Sequence, residues 1–206
     1  MAPALRLDGP ADGPTIVLAH GAGAPMDSPF MEEMTHRLAA AGLRVVRFEF
    51  PYMQRRRELG RRAAPDREPL FRAAWMEVIG QLGGGARLVI GGKSLGGRIA
   101  SLIADEAGAR GLVCLGYPFH AAGRPRSPRI AHLQAIRTPT LIVQGQRDTM
   151  GKRDEVDGYA LAPTVRIVWI EQGDHSFTPP RRAARSAAEN LDEAAAAVAR
   201  FVQSLP

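Results

Sequence analysis

Ser94 stands between glycines in Gly92-Lys93-Ser94-Leu95-Gly96, after the apolar run Leu88-Val89-Ile90 and before Ile99-Ala100-Ser101-Leu102-Ile103. The G-x-S-x-G spacing marks a strand turning so sharply into a helix that neighbouring side chains must be absent, which lifts the serine Oγ clear as a nucleophile. The N–H of Leu95, at the positive end of that helix, is then open to an oxyanion. A serine hydroxyl is a weak nucleophile at neutral pH and needs a base, itself oriented by an acid. Both follow in chain order. Asp148 lies just beyond Thr140-Leu141-Ile142-Val143-Gln144, and His175 lies beyond Val165 to Ile170, in Gly173-Asp174-His175-Ser176-Phe177. Asp148 would fix the imidazole tautomer of His175, which would accept the Ser94 proton and return it to a leaving group. A second oxyanion donor should come from an early strand–helix loop, and the small residues of His20-Gly21-Ala22-Gly23-Ala24 point to the N–H of Ala22.

Other assignments compete for these residues. Asp154 and Asp157 lie near Asp148 as alternative acids, and an aspartate after a strand is often only a turn former or a cap. His36 and His132 fall in or near amphipathic segments and read as surface or packing residues, whereas His120, after Pro118-Phe119, could line a site. Gly92-Lys93-Ser94 also ends a phosphate-binding P-loop, but that motif requires a glycine where this chain has Arg87. No histidine has metal-ligand spacing with carboxylates, so neither a metal nor a cofactor is expected.

The elements that must hold these residues alternate. Thr15–His20 and Leu43–Phe50 read as strands around a helix over Pro29–Ala41. A polar, proline-punctuated loop is expected from Pro51 to Pro69, followed by a helix from Leu70 to about Leu82 and a glycine stop. Strands at Leu88–Gly92, Gly111–Gly116, Thr140–Gln144 and Val165–Ile170 follow, and an alanine-rich helix over Arg185–Val202 closes the chain. Such alternation argues a mostly parallel sheet with helices on both faces, because parallel neighbours need crossover connections.

With 206 residues, 45% hydrophobic and 23% charged, the chain reads as one globular domain. No apolar run is long enough to span a bilayer and Met1 to Asp8 lacks the apolar segment of a secretory signal, so a cytoplasmic location without membrane partners is expected. Cys114, the only cysteine, lies in an apolar strand and reads as a small buried hydrophobe. The net charge of +6 is almost all arginine, concentrated in Arg55-Arg56-Arg57, Arg61-Arg62 and Arg67. Without interleaved aromatics to stack bases, that cluster reads as a solvated loop beside Glu58, Asp66 and Glu68, and nucleic acid is not the expected partner.

These motifs resemble the α/β-hydrolase fold superfamily over the whole chain. Gly91-Gly92-Lys93-Ser94-Leu95-Gly96-Gly97-Arg98, with His20 to Ala24 and Gly173 to Phe177, is similar to a compact subgroup that includes testis-expressed hydrolase-like proteins and a chromatin-complex subunit. Dienelactone hydrolases are more distant, and carry cysteine where this chain has Ser94. The resemblance implies eight strands or slightly fewer, a Ser94–His175–Asp148 triad and an oxyanion hole from Leu95 and Ala22. It also implies a serine hydrolase acting on a small carboxylic ester or thioester through an acyl-enzyme. The alternative is an interaction module on a hydrolase scaffold, suggested by the chromatin-associated relative and the arginines. Only about twenty residues separate Gly116 from Thr140, too few for a helical cap, so the site should be open. Its expected walls are Pro51–Pro69 and Tyr117–Arg137, with Tyr52, Met53, Tyr117, Phe119 and Phe177 as apolar substrate contacts and Arg124 or Arg126 as anion contacts.

Overall fold

A computed structural model describes residues 3–60 and 64–206. Arg61 and Arg62 of the arginine cluster lie outside the described residues. Seven strands form one sheet: β1 (Leu5–Asp8), β2 (Thr15–Ala19), β3 (Arg44–Phe48), β4 (Leu88–Lys93), β5 (Gly111–Leu115), β6 (Thr140–Gly145) and β7 (Val165–Ile170). Their order is β1-β3-β2-β4-β5-β6-β7, with β1 antiparallel to β3 and every other neighbouring pair parallel.

The strands have apolar residues on both faces because both faces are covered. Along β2, Ile16 and Leu18 pack into one core and Val17 and Ala19 into the other, and β5 repeats the pattern with Val113 and Leu115 against Leu112 and Cys114. Helices α1 (Pro29–Ala40) and α6 (Ala187–Ser204) cover the first face through Met31, Met34, Leu38, Val198 and Val202. Helices α3 (Glu68–Gln81) and α4 (Leu95–Ile103) cover the second through Phe71, Trp75, Val78, Ile99 and Ile103. A capping box, with Ser186 Oγ accepting from Glu189 N and Glu189 accepting from Ser186 N, starts α6. Cys114 is fully buried, and burial pushes its thiol well above the ordinary range. No helix among the described residues is long and apolar enough to cross a membrane.

The structure departs from the sequence reading in two places. The seven strands among the described residues fall within the expected eight or slightly fewer, but one of them, β1, was unanticipated, its four residues LRLD being too short to display a period. β1 is an edge strand, and its Arg6 pairs with Glu32 of α1. The expected loop after Pro51 begins instead as helix α2 (Pro51–Leu59), started by proline in its first turn and ended by Gly60 in the left-handed conformation at φ 61°. Its only buried residues are Tyr52 and Met53, so helical periodicity had nothing to register on. As expected from the short connection between β5 and β6, only one 3-10 turn, Ala131–Gln134, lies there and no cap domain, and the one-turn helix α5 (Arg153–Val156) follows β6.

Candidate active site

Ser94 is the first residue after β4, held at φ 50° and ψ −110°, a region that side-chain-bearing residues rarely occupy. The strain persists because the turn is packed shut from below. A Cβ on Gly92 or Gly96 would lie 2.1 or 2.3 Å from the carbonyl oxygen of Ala19, so only glycine lets β2 approach. Ser94 remains partly exposed at the carboxyl edge of the sheet.

His175 and Asp148 meet at that same edge. His175 Nδ1 donates to Asp148 Oδ2 at 2.7 Å, and Asp148 is fully buried. The carboxylate accepts two further hydrogen bonds: Gln144 Nε2 reaches Oδ2 at 2.9 Å and Met150 N reaches Oδ1 at 2.9 Å. Asp154 is exposed and Asp157 pairs with Arg153 on the surface, so neither competitor takes this place. With Nδ1 committed as a donor, the neutral imidazole presents Nε2 as an acceptor. No hydrogen bond joins Ser94 Oγ to His175 among the described residues, where the sequence reading expects one. Contacts of this type are commonly long without substrate and tighten when it binds.

The loop after β2 is fixed almost atom by atom. His20 is buried; its Nδ1 donates to Gly21 O at 2.7 Å while Nε2 accepts from Phe50 N at 3.2 Å, and burial holds its imidazole below the ordinary value. Tyr52 Oη donates to Ala22 O at 2.9 Å, and Arg56 reaches Gly23 O at 3.3 Å. Glu49 accepts from Met26 N at 3.1 Å and receives Arg57 Nε at 2.8 Å; Arg57 also pairs with Asp27. With the carbonyls turned toward α2, the N–H groups of Ala22 and Leu95 have no hydrogen-bond partner among the described residues.

Residues 12–203 match the alpha/beta hydrolase domain family. The chain belongs to that family and is a hydrolase. Solved structures share its fold at low identity. A dienelactone hydrolase from Anabaena variabilis superposes with a TM-score of 0.72 at 20% identity, over 98% of this chain and 91% of that one. Est1E from Butyrivibrio proteoclasticus, solved with ferulic acid bound, gives 0.71 at 14% identity over 98% and 95%. An α/β serine hydrolase without lid from Xanthomonas campestris gives 0.68 at 17% identity over 98% and 90%.

The remaining assignments in this hydrolase need revision. Tyr52, Met53, Tyr117, Phe119 and Phe177 are all at most 2% exposed, so they pack beneath the loops instead of presenting an apolar wall. Arg124 and Arg126 are exposed. Arg57, although exposed, is also part of the clamp on the loop after β2, and its carboxylate partners raise its pKa further. His120 is buried, with Nδ1 on Ala121 O and Nε2 on Glu155, and His36 is exposed on α1.

A second serine–histidine contact, Ser101 Oγ with His132 Nε2 at 2.8 Å, is wired against catalysis. The Ser101 proton already goes to Arg98 O at 2.6 Å, so His132 Nε2 must donate and cannot act as base. Sequence reasoning missed Gln144, Glu49 and Lys93, whose partners here are mostly in loops distant along the chain. Gln144 was signalled only by being polar at the end of an apolar strand.

Proposed function

We propose that this chain hydrolyses small carboxylic esters or thioesters by an acyl-enzyme route. The observation that carries the reading is the 2.7 Å bond from His175 Nδ1 to the buried Asp148, whose carboxylate is also held by Gln144 and Met150, beside a serine in a strained strand–helix turn. Ser94 Oγ attacks the acyl carbon as His175 Nε2 takes its proton, and the N–H groups of Leu95 and Ala22 bind the resulting oxyanion. His175 then protonates the leaving group, and a water deprotonated by the same nitrogen releases the acid and restores Ser94. The lack of a cap between β5 and β6 favours small acyl groups, or the exposed end of a larger molecule, over enclosed long chains. Within its family, the chain resembles the compact testis-expressed subgroup in its elbow residues.

The test is reaction with a fluorophosphonate, locating the adduct by mass spectrometry, alongside turnover of a short activated ester. The adduct should sit on Ser94, and Ser94→Ala should lose on the order of 10⁴-fold or more in kcat. An adduct on another serine, or an undiminished Ser94→Ala variant, refutes the assignment.

A further inference from the structure

Lys93 precedes the nucleophile and is one of two lysines in the chain, the other being Lys152. Its side chain is turned inward, 8% exposed, with Nζ donating to the carbonyl oxygen of His175 and lying 5.2 Å from the centre of the Phe30 ring. Gly116, at φ 66°, keeps the channel open: a Cβ there would lie 2.8 Å from Nζ and 2.6 Å from His175 O. Among the described residues no carboxylate bonds the ammonium directly. Asp148, from the loop after β6, and Asp174, from the loop after β7, act on it by charge; the titratable imidazole of His175 lies across the Gly116 channel. The residues facing it from α1 and from the loops after β2 and β5, Phe30, Gly21 and Gly116, carry no charge.

An ammonium is expensive to bury, and an apolar side chain would fill this space without that cost. What it does here is tie two pieces of the site together. The segment after β7 is anchored to α6 by Asn190 Nδ2, which donates to Phe177 O at 2.7 Å, and to itself by Asp174, which accepts from Ser176 N and Thr178 N. Lys93 joins it to the strand that carries Ser94. We infer that Lys93 is a positioning residue whose ammonium clamps the His175 carbonyl to the end of β4 and thereby holds the imidazole within proton-transfer range of Ser94. This rests on the assignment of Ser94 and His175 made above. A charge-assisted hydrogen bond is roughly twice as strong as a neutral one, so the clamp depends on the lysine staying protonated. Burial lowers Lys93 to about 8, which brings loss of the clamp within the range of an ordinary pH profile.

Two lysines make the test direct. In protein labelled with ¹³Cε-lysine, one of the two resonances should titrate near pH 8 and vanish in Lys93→Met. Wild-type kcat/KM for a short neutral ester should fall above pH 8 with that same midpoint. Lys93→Met should lose about 10- to 100-fold in kcat with KM within a few-fold, as a misplacement of order 1 Å does, and its profile should be level where the wild type falls. The inference is overturned if Lys93 titrates while the wild-type rate holds steady or rises. It is equally overturned if Lys93→Met keeps wild-type kcat, or loses activity yet retains the wild-type alkaline limb, which would be a packing effect. Fluorophosphonate labelling of Ser94 is run on the same samples: labelled Ser94 with a failed lysine test sinks only this inference, whereas no labelling sinks the assignment beneath it.

Discussion

Replacing Arg57 with glutamine should damage catalysis although Arg57 does not touch Ser94, His175 or Asp148, the proposed triad. Glu49 is buried, with 4% of its side chain exposed, and Arg57 meets it through Nε at 2.9 and 2.8 Å and Nη2 at 2.7 Å. Removing one partner of a buried pair strands the other charge, at a cost of about 3–5 kcal/mol. Arg57 is 44% exposed, so water reaches the vacated place, and about 2 kcal/mol is the figure to expect after that discount. For a chain of this size, that corresponds to a fall in Tm of about 4–8 °C. The same carboxylate holds Met26 N, and Arg57 holds Asp27, so the loop bearing Ala22 loosens as well. A donor displaced by about 1 Å costs roughly 100-fold in kcat while leaving ground-state binding of a small ester nearly unchanged. Arg55 and Arg56 are the controls. Arg55→Gln loses its partner Asp66 and some stability but should keep kcat, and Arg56→Gln gives up only a 3.3 Å contact to Gly23 O. Glu49→Gln added to Arg57→Gln should recover part of the lost stability, because no charge is then stranded. Thermal unfolding with steady-state kinetics on a neutral ester decides the matter: unchanged kcat in folded Arg57→Gln, or an equal loss in Arg55→Gln, refutes the reasoning.

Tyr52→Phe removes only the hydroxyl on Ala22 O, whose burial pushes its pKa up to about 12, and should lower kcat about 5- to 10-fold without changing KM, the effect of one hydrogen bond of about 1 kcal/mol. Asp148→Asn should cost on the order of 10³- to 10⁴-fold in kcat, since an amide at that place turns His175 to the wrong tautomer; a loss under tenfold contradicts the orienting role. Acid should destabilise the fold between pH 6.5 and about 4. Burial, then Arg98 and Arg72, lower His132 to about 4, so the unfolded chain takes up that proton first and stability drains by about 2 kcal/mol as pH falls through the window; His132→Gln should flatten this part of a urea-midpoint titration. Lys93 acts in the opposite range. The unfolded chain binds its proton up to about pH 10.5 and the folded chain only to about 8, so this group adds about 3 kcal/mol of stability as pH rises between those values, and Lys93→Met should be more stable than wild type at pH 7 while turning over more slowly.

The parts of the site that were legible in the sequence are those encoded locally. Ser94 announces itself because the glycines that permit its turn lie within two residues of it, and Asp148 and His175 each follow an apolar run that ends at the same sheet edge. Where side chains point was much less legible. Tyr52, Tyr117 and Phe177 sit just beyond strand ends or at a helix start, where the alternation that tells inside from outside has stopped, and each turned inward. Helix α2 was hidden for a related reason: five of its nine residues are charged or amide-bearing, and their ion pairs reach Glu49, Asp27 and Asp66, outside the helix itself.

What the sequence concealed most completely shares one chemical form. The loops around Ser94 are held by side-chain donors on backbone carbonyls: His20 on Gly21, Tyr52 on Ala22, Arg47 on Met26, Gln144 on Tyr117, Lys93 on His175 and Asn190 on Phe177. A carbonyl has the same identity at every residue, so a donor aimed at one leaves no complementary letter to find. A triad advertises both of its partners, whereas a clamp advertises one, and that one reads as an ordinary polar residue. Yet every donor satisfies a loop oxygen that would otherwise need water, and each satisfied oxygen removes a way for the loop to move. Placement of the proposed oxyanion donors and imidazole to within about half an ångström depends on such support, because sites on loops are otherwise less exact than sites on strands and helices. Substitutions at these six donors should therefore lower kcat more than they lower stability, a ratio that buried apolar residues such as Ile90 or Val113 should reverse.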